Sequence, residues 1–160
     1  MQRDRIVALR AFPAHHNYLL NRVVFGKFLD EVTERRIPLL ISLEKAGGGW
    51  SAIYELLAEF PNLTCVLCDI GDWNSDRYTW PLLETYPNVF LETNLLTRED
   101  GGIEETVARY GAGHLLFGSN FPERYLEAAA LAILQADIPA ADKKKIASAN
   151  LESLIQGAQL

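Results

Sequence analysis

The sequence has no long hydrophobic run and fewer basic than acidic residues. No apolar stretch approaches the ~20 residues that a membrane-spanning helix requires, and residues 1–5 lack the apolar core of a signal peptide. The 15 Lys and Arg against 21 Asp and Glu give a net charge of −6, which argues against a partner bound through nucleic-acid phosphates. We therefore expect a cytoplasmic protein that binds neither nucleic acid nor membrane.

Cysteine is scarce as well, since Cys65 and Cys68 are the only two. Their spacing is that of a redox pair or of half a zinc site. No second cysteine pair exists to complete a zinc site, and residues 64–68 have the apolar composition of a buried strand. Residues three apart in a strand point to opposite faces. We therefore favour the interpretation that both thiols are small buried side chains.

A strand followed by a helix is repeated five times along the 160 residues, which we assign to one domain, residues 1–160. Short apolar runs predict the five strands, at residues 6–12, 37–43, 64–68, 89–92 and 115–118. Apolar residues at helical spacing predict the helices, at residues 24–36, 50–60, 80–86, 103–110, 123–135, 140–148 and 150–156.

This alternation is typical of an α/β fold built from parallel βαβ units. Two architectures fit it: an open, doubly wound sheet of five strands, and part of a (β/α)8 barrel. A dinucleotide-binding doubly wound fold would have a glycine fingerprint directly after a strand. The run Gly47-Gly48-Gly49 follows a predicted strand but lacks that spacing, so we interpret it as a flexible loop.

Polar residues follow the predicted strands, where the loops of a β/α protein form binding sites. The candidates for binding a substrate or ligand are Ser42, Glu44, Asp69, Glu92 and Asn120. Three of them are carboxylates, and an acidic mouth of this kind suits a cationic or polyhydroxyl ligand, or a metal ion. Asp72 and Asp76 follow Asp69 in the same loop, either as further oxygen donors or as residues that shape local turns.

Two further residues carry chemistry that suits a site. His16, in the loop after the first strand, could bind substrate or transfer protons, or it could simply order the loop by hydrogen bonding. Arg124 follows Pro122 near the start of a predicted helix and could bind a carboxylate with two hydrogen bonds, or form a surface ion pair.

The segment Phe117-Gly118-Ser119-Asn120-Phe121-Pro122 resembles the last strand of the amidohydrolase-related (amidohydrolase-2) family, whose pattern is Phe-Gly-Ser-Asp-Phe-Pro. Residues 38–42, 60–71 and 86–92 resemble three successive strands that precede it in the same family. Residues 145–154 resemble the family's C-terminal helix. The resemblance implies a metal-dependent-hydrolase type of TIM barrel, of which this chain would be the C-terminal part: a partial barrel of about five βα units plus C-terminal helices.

The resemblance also implies a chemistry, hydrolysis of a C–N or C–O bond or the related non-oxidative decarboxylation, assisted by a divalent metal ion. The family's metal-binding positions are here Ser42, Asp69 and Asn120, of which only Asp69 is a strong ligand. We thus expect a degenerate metal site, with Asp69 as the remaining ligand and with His16 and Asn120 positioning a small-molecule substrate. The alternative is a non-catalytic ligand-binding or assembly module on the same scaffold.

Length sets a further expectation. Barrels of this type typically need ~250 residues, and this chain has no counterpart of the family's opening strands. The first and last strands would keep unpaired backbone groups along their outer edges. We therefore expect a homo-oligomer or a complementing N-terminal half to cover them.

Overall fold

Five strands form one parallel sheet in the computed structural model, which describes residues 7–70, 75–96 and 102–159. The strands are β1 (Leu9–Ala11), β2 (Leu39–Ser42), β3 (Cys65–Cys68), β4 (Val89–Glu92) and β5 (Leu115–Leu116). The predicted strand at residues 89–92 has the observed bounds. The other observed strands are shorter than the apolar runs that predicted them.

The strand order in the sheet is the order in the sequence, β1-β2-β3-β4-β5, and every neighbouring pair is parallel. Each crossover therefore moves one strand further in the same direction, as in a barrel. A doubly wound sheet would reverse direction at a switch point and place its strands out of sequence order. The topology thus confirms the barrel-type prediction and rules out the doubly wound alternative.

Helices connect the strands and cover one face of the sheet. They are α1 (Pro13–His16), α2 (Arg22–Glu34), α3 (Gly49–Glu59), α4 (Asp76–Thr85), α5 (Gly102–Tyr110), α6 (Leu126–Gln135), α7 (Ala140–Lys144) and α8 (Asn150–Gly157). The start of α2 is capped by Asn21, whose side-chain oxygen accepts from the Val24 N–H at 3.1 Å. Gly111 follows α5 with φ of 78°, a left-handed conformation that glycine adopts without a steric penalty.

The two faces of the sheet have different surroundings. Side chains such as Leu39, Ile41 and Leu67 belong to the main hydrophobic core beneath the helices. Alternate residues of the same strands, among them Val66 and Leu116, form a smaller cluster on the opposite face. We call this opposite face the inner face, because it corresponds to the interior of a closed barrel.

The two cysteines lie on opposite faces of β3, as the spacing predicted. Cys65 belongs to the main core and Cys68 to the inner-face cluster, and both thiols are free and buried. Burial raises the pKa of both thiols, that of Cys68 to about 12. A thiol with so high a pKa carries almost no nucleophilic thiolate at neutral pH. Their positions therefore agree with a packing role.

The C-terminal segment differs from the prediction of two separate helices. From α7 to α8 the backbone stays helical through a wider π turn, Lys145–Ala149. Within that turn the Ile146 carbonyl accepts a hydrogen bond from the Phe117 N–H at 2.9 Å. The Asn150 side chain donates to the Ala112 and Leu115 carbonyls at 2.7 and 2.8 Å. These bonds hold the continuous helix against the end of the sheet.

The helix predicted from residue 123 begins later, at Leu126. The residues before it are occupied by a turn in which the Arg124 N–H donates to the Asn120 carbonyl at 3.1 Å. The helix-forming composition of residues 123–125 is thus overridden by the turn that follows β5. None of the helices in the described part of the chain is long and apolar enough to cross a membrane.

Candidate active site

The carboxyl ends of the strands bring a set of polar side chains to one end of the inner face. The sheet register pairs Ser42 with Cys68 and Glu92 with Leu116. Cys68 and Leu116 both belong to the inner-face cluster, so their register partners face the same way. Ser42 and Glu92 therefore project from the last layer of β2 and β4 toward the interior of the barrel.

Glu92 has the most perturbed carboxyl group of the described residues. Burial, and to a smaller extent the nearby charge of Asp69, raise its pKa to about 7. Backbone N–H groups of Asn94 and Asp69 donate to the carboxylate, and they oppose that rise together with Arg10. The Asn94 bond to Glu92 Oε1 is 3.0 Å long. A carboxyl group held in place with a pKa near neutrality is suited to proton transfer.

Gly118 has no side chain, and the Glu92 carboxyl group occupies the position that a side chain there would fill. A methyl group at Gly118 would overlap the Oε1, Cδ and Cγ atoms of Glu92. The register explains this contact, because Gly118 lies two residues beyond Leu116, the partner of Glu92, on the same face. The glycine of the Phe-Gly-Ser segment thus has a local steric role beside the carboxyl group.

Asp69 is buried at the end of β3, and its φ of 57° places it in the left-handed region. Its Oδ1 accepts a hydrogen bond from the Asn94 side chain at 3.3 Å. The same residue gives its backbone N–H to Glu92. Asp69, Glu92 and Asn94 therefore form one connected polar group across β3 and β4, which we call the carboxylate cluster.

Ser42 contributes a hydroxyl group with an unused hydrogen-bonding capacity. The residue is fully buried, and its Oγ has no hydrogen-bond partner. Leaving a buried polar group unsatisfied costs roughly 1–3 kcal/mol. The hydroxyl is thus an unsatisfied polar group of the described residues that lies just beneath the surface of the inner face.

Asn120 also follows a strand, but it bonds locally. With φ of 52° it is left-handed, and its Nδ2 donates to Glu123 Oε2 at 3.3 Å. Arg124 is half-buried in the same turn, where its backbone N–H donates to the Asn120 carbonyl. Within the described residues, neither side chain is hydrogen-bonded or ion-paired to the carboxylate cluster.

The remaining sequence candidates lie at the periphery. His16 is exposed in α1, with its ring against Phe12 at 5.9 Å between centroids. Glu44 is exposed in the 3-10 helix Leu43–Lys45. Asp72 lies outside the described residues. The structure thus groups Glu92 with Asp69 and leaves His16 and Glu44 on the surface of the chain.

Sequence reasoning did not select Arg10, Phe12 or Lys45, which the structure brings together. The Arg10 guanidinium carbon lies 5.3 Å from the centre of the Phe12 ring, and Lys45 Nζ lies 5.6 Å from it. The sequence does contain one indication that Arg10 has a role, because it is the charged residue in the otherwise apolar run at residues 6–12. The contact with Lys45, 33 positions beyond Phe12, depends on the pairing of β1 with β2.

The donor set does not fit the divalent metal implied by the family. No group of three or more His, Cys, Asp and Glu side chains that could hold a metal ion occurs within residues 7–70, 75–96 and 102–159. Ser42 offers a neutral hydroxyl, and Asn120 is turned toward Glu123. Asp69, predicted as the remaining ligand, accepts one hydrogen bond on Oδ1 from Asn94.

Three solved structures share the fold at low sequence identity. An uncharacterised TIM-barrel protein from Bordetella bronchiseptica superposes with a TM-score of 0.78 at 20% identity over 95% of this chain. A 2,6-dihydroxybenzoate decarboxylase from Rhizobium gives 0.66 at 15% identity over 86%. A dihydroxybenzoic acid decarboxylase from a Polaromonas species, with bound manganese and 2-nitroresorcinol, gives 0.59 at 17% over 82%.

This chain spans 58%, 57% and 53% of those three structures, in the same order. A comparison with curated proteins finds no match. The amidohydrolase family profile matches residues 4–152, which is nearly the whole sequence. The sequential parallel sheet, the Phe-Gly-Ser segment after its last strand and this match agree, and the chain belongs to the amidohydrolase family.

Proposed function

We propose that this chain forms part of the active site of a non-oxidative decarboxylase that acts on a small aromatic carboxylic acid. Glu92 is the proton donor in this proposal. The observation that carries it is the position of the Glu92 carboxyl group, half-buried at the end of β4 and held by two backbone N–H groups. Its pKa of about 7 keeps a large protonated fraction at neutral pH.

The reaction balances with this one acid. The Glu92 carboxyl gives its proton to the ring carbon that bears the substrate carboxylate. The bond between that carbon and the carboxylate then breaks, its electron pair returns to the ring, and CO2 leaves. The products are the arene, CO2 and the Glu92 carboxylate, which takes a proton from water before the next turnover.

Two considerations favour decarboxylation over hydrolysis of a C–N or C–O bond. Protonation of carbon requires one positioned acid, and the Glu92 carboxyl group, with a pKa of about 7, supplies it. In addition, two of the structures with the same fold are named dihydroxybenzoate or dihydroxybenzoic acid decarboxylases. Asp69 and Ser42 would contact the substrate at the same end of the sheet.

An isotope experiment tests the reaction class. The protein is incubated in D2O with a panel of mono- and dihydroxybenzoates and with the corresponding benzamides and methyl esters, and products are followed by proton NMR. Decarboxylation is expected to place one deuterium on the ring carbon that lost CO2. Cleavage of the amides or esters without arene formation would instead identify a hydrolase.

The second candidate is a non-catalytic ligand-binding or assembly module. The observation that favours it is the replacement of family metal positions by Ser42 and Asn120. In the isotope experiment this candidate predicts binding of aromatic acids, seen as shifted resonances, without any product. The cytoplasmic location expected from the sequence stays a prediction in either case.

We also propose that further polypeptide covers the two open edges of the sheet. β1 and β5 are the end strands, and the helix that follows each one exposes large apolar side chains. Val23 on α2 is 91% exposed and Leu134 on α6 is 66% exposed. β1 has no further strand beside it in the described part of the chain, whereas the outer edge of β5 is bonded in part to Ile146 and Asn150. An unpaired strand edge and exposed apolar surface both promote association. A second copy of the chain, or a complementing N-terminal half, would bury both.

Sedimentation of the 160-residue chain alone tests this edge proposal. We expect a concentration-dependent oligomer, and we expect Val23→Lys and Leu134→Lys to shift it toward smaller species. The matched control is Ala58→Lys, an exposed position on α3 in the middle of the helical layer, which should leave the distribution unchanged. A compact monomer at micromolar concentration would show that the edges are stable uncovered and would contradict the proposal.

A further inference from the structure

We propose that Arg10 and Lys45, placed around the Phe12 ring, form a subsite that binds the carboxylate group of a small organic acid. Such a subsite would select small organic acids as the substrates of the site described above. Binding of an acid by this subsite can be measured by itself. Only the expectation that the bound acid is also decarboxylated rests on the proposed function.

The first observation is the convergence of two cations on one aromatic ring. Arg10 lies in β1, and Phe12 is the first residue after that strand. Lys45 lies in the 3-10 helix that follows β2. Both cationic groups lie within 6 Å of the Phe12 ring centre, at 5.3 and 5.6 Å. Each cation contacts the ring, which leaves its N–H groups available to a ligand. A carboxylate bound beside the ring would accept hydrogen bonds from the guanidinium and be attracted by the ammonium group.

The second observation concerns their ionic partners. The ion pairs among the described residues involve Arg22, Arg35 and Lys145. Neither Arg10 nor Lys45 has a carboxylate within 4 Å in that part of the chain. Neither side chain makes a hydrogen bond to described residues. Their donors are therefore free to bind an incoming carboxylate, for which the guanidinium offers two parallel N–H groups.

The third observation places this pair of cations beside the carboxylate cluster. In the register, Arg10 pairs with Leu40, which lies on the inner face. The Arg10 charge lowers the pKa of both Glu92 and Cys68, so its guanidinium faces the same space as those residues. The buried, unpartnered Ser42 hydroxyl projects from β2 on that face as well. An acid held by Arg10 and Lys45 would thus have its remaining groups directed toward Ser42 and Glu92.

Calorimetric titration of the full chain with benzoate, and with benzamide as its neutral counterpart, tests the subsite. We expect benzoate to bind at least tenfold more tightly than benzamide. Arg10→Gln and Lys45→Gln should each weaken benzoate binding about tenfold or more, as expected for loss of a charge-assisted hydrogen bond. Lys27→Gln, an exposed lysine on α2, is the matched control and should leave binding unchanged.

Two measurements separate the subsite from the proposed function: benzoate binding by Glu92→Gln, and turnover of aromatic acids by the wild type. Glu92→Gln should bind benzoate at least as tightly as the wild type, because Arg10 and Lys45 remain and a partly ionised carboxyl group near Arg10 is removed. Unchanged benzoate affinity in the folded Arg10→Gln and Lys45→Gln variants, or equal affinity for benzoate and benzamide, would overturn the subsite whatever the turnover result. Charge-dependent benzoate binding without turnover of any aromatic acid would support the subsite and refute the decarboxylase.

Discussion

Glu92→Gln is expected to lower kcat for the decarboxylation by about 10²–10⁴-fold, the usual contribution of a positioned general acid. Glutamine has the same shape as glutamate, and its side-chain oxygen can still accept from the Asn94 N–H that holds Glu92 Oε1 at 3.0 Å. The amide cannot give up a proton at neutral pH. The chemical step should therefore fail while the fold and substrate binding persist. Steady-state kinetics with the best acid of the panel measure the effect.

Three variants make this prediction specific to the carboxyl group. Glu44→Gln removes an exposed strand-end carboxylate and should leave kcat within about twofold of wild type. Gly118→Ala should lower kcat without altering a titratable group, since the added methyl would displace the Glu92 carboxyl. Gly113→Ala is its matched control, because a methyl there meets nothing within 4 Å. Full activity in Glu92→Gln would refute the role of this residue.

The second large effect is on stability. The free energies of unfolding of the wild type and of Glu92→Gln should differ increasingly as the pH rises. The ordinary pKa of this carboxyl group is 4.5, and burial raises it to about 7 in the folded chain. Between these two values the folded state binds more protons than the unfolded state. Stability is therefore fully present below about pH 4.5 and is lost as the pH rises through 7.

Glutamine does not titrate, so Glu92→Gln should lack this loss. At pH 8 we expect it to be more stable than wild type by a free energy of unfolding on the order of 3 kcal/mol at most, with little difference at pH 4.5. Urea unfolding at the two pH values measures the difference, with Glu44→Gln as the control. If wild type instead gained stability relative to Glu92→Gln with rising pH, the Glu92 carboxyl would have a lowered pKa and could not serve as the acid.

The elements of the fold that sequence predicts well are those defined by local pattern. The apolar run of β4, bounded by Asn88 and the polar residues after Glu92, has the predicted limits because both signals are local. The continuity of the C-terminal helix could not be predicted in this way. Its π turn accompanies a bond between Ile146 and Phe117, 29 positions apart, which no local pattern encodes.

The same distinction applies to the site. Strand-end position selected Ser42, Asp69 and Glu92 from sequence, and the structure brings the latter two into one hydrogen-bonded group. The contact between Glu92 and Gly118 depends on the register of β4 with β5, which sequence does not fix to one residue. The pKa of Glu92 depends on burial, which is likewise a property of the assembled sheet.

The backbone conformation of Asn120 affects which substitutions this position can accept during evolution. Its φ of 52° is a conformation that asparagine and aspartate both tolerate better than other non-glycine residues. Exchange of one for the other therefore alters charge while the surrounding turn keeps its shape. A lineage could lose or regain a carboxylate here by a substitution that selection on folding scarcely detects, so the scaffold can outlast the chemistry for which it was first used.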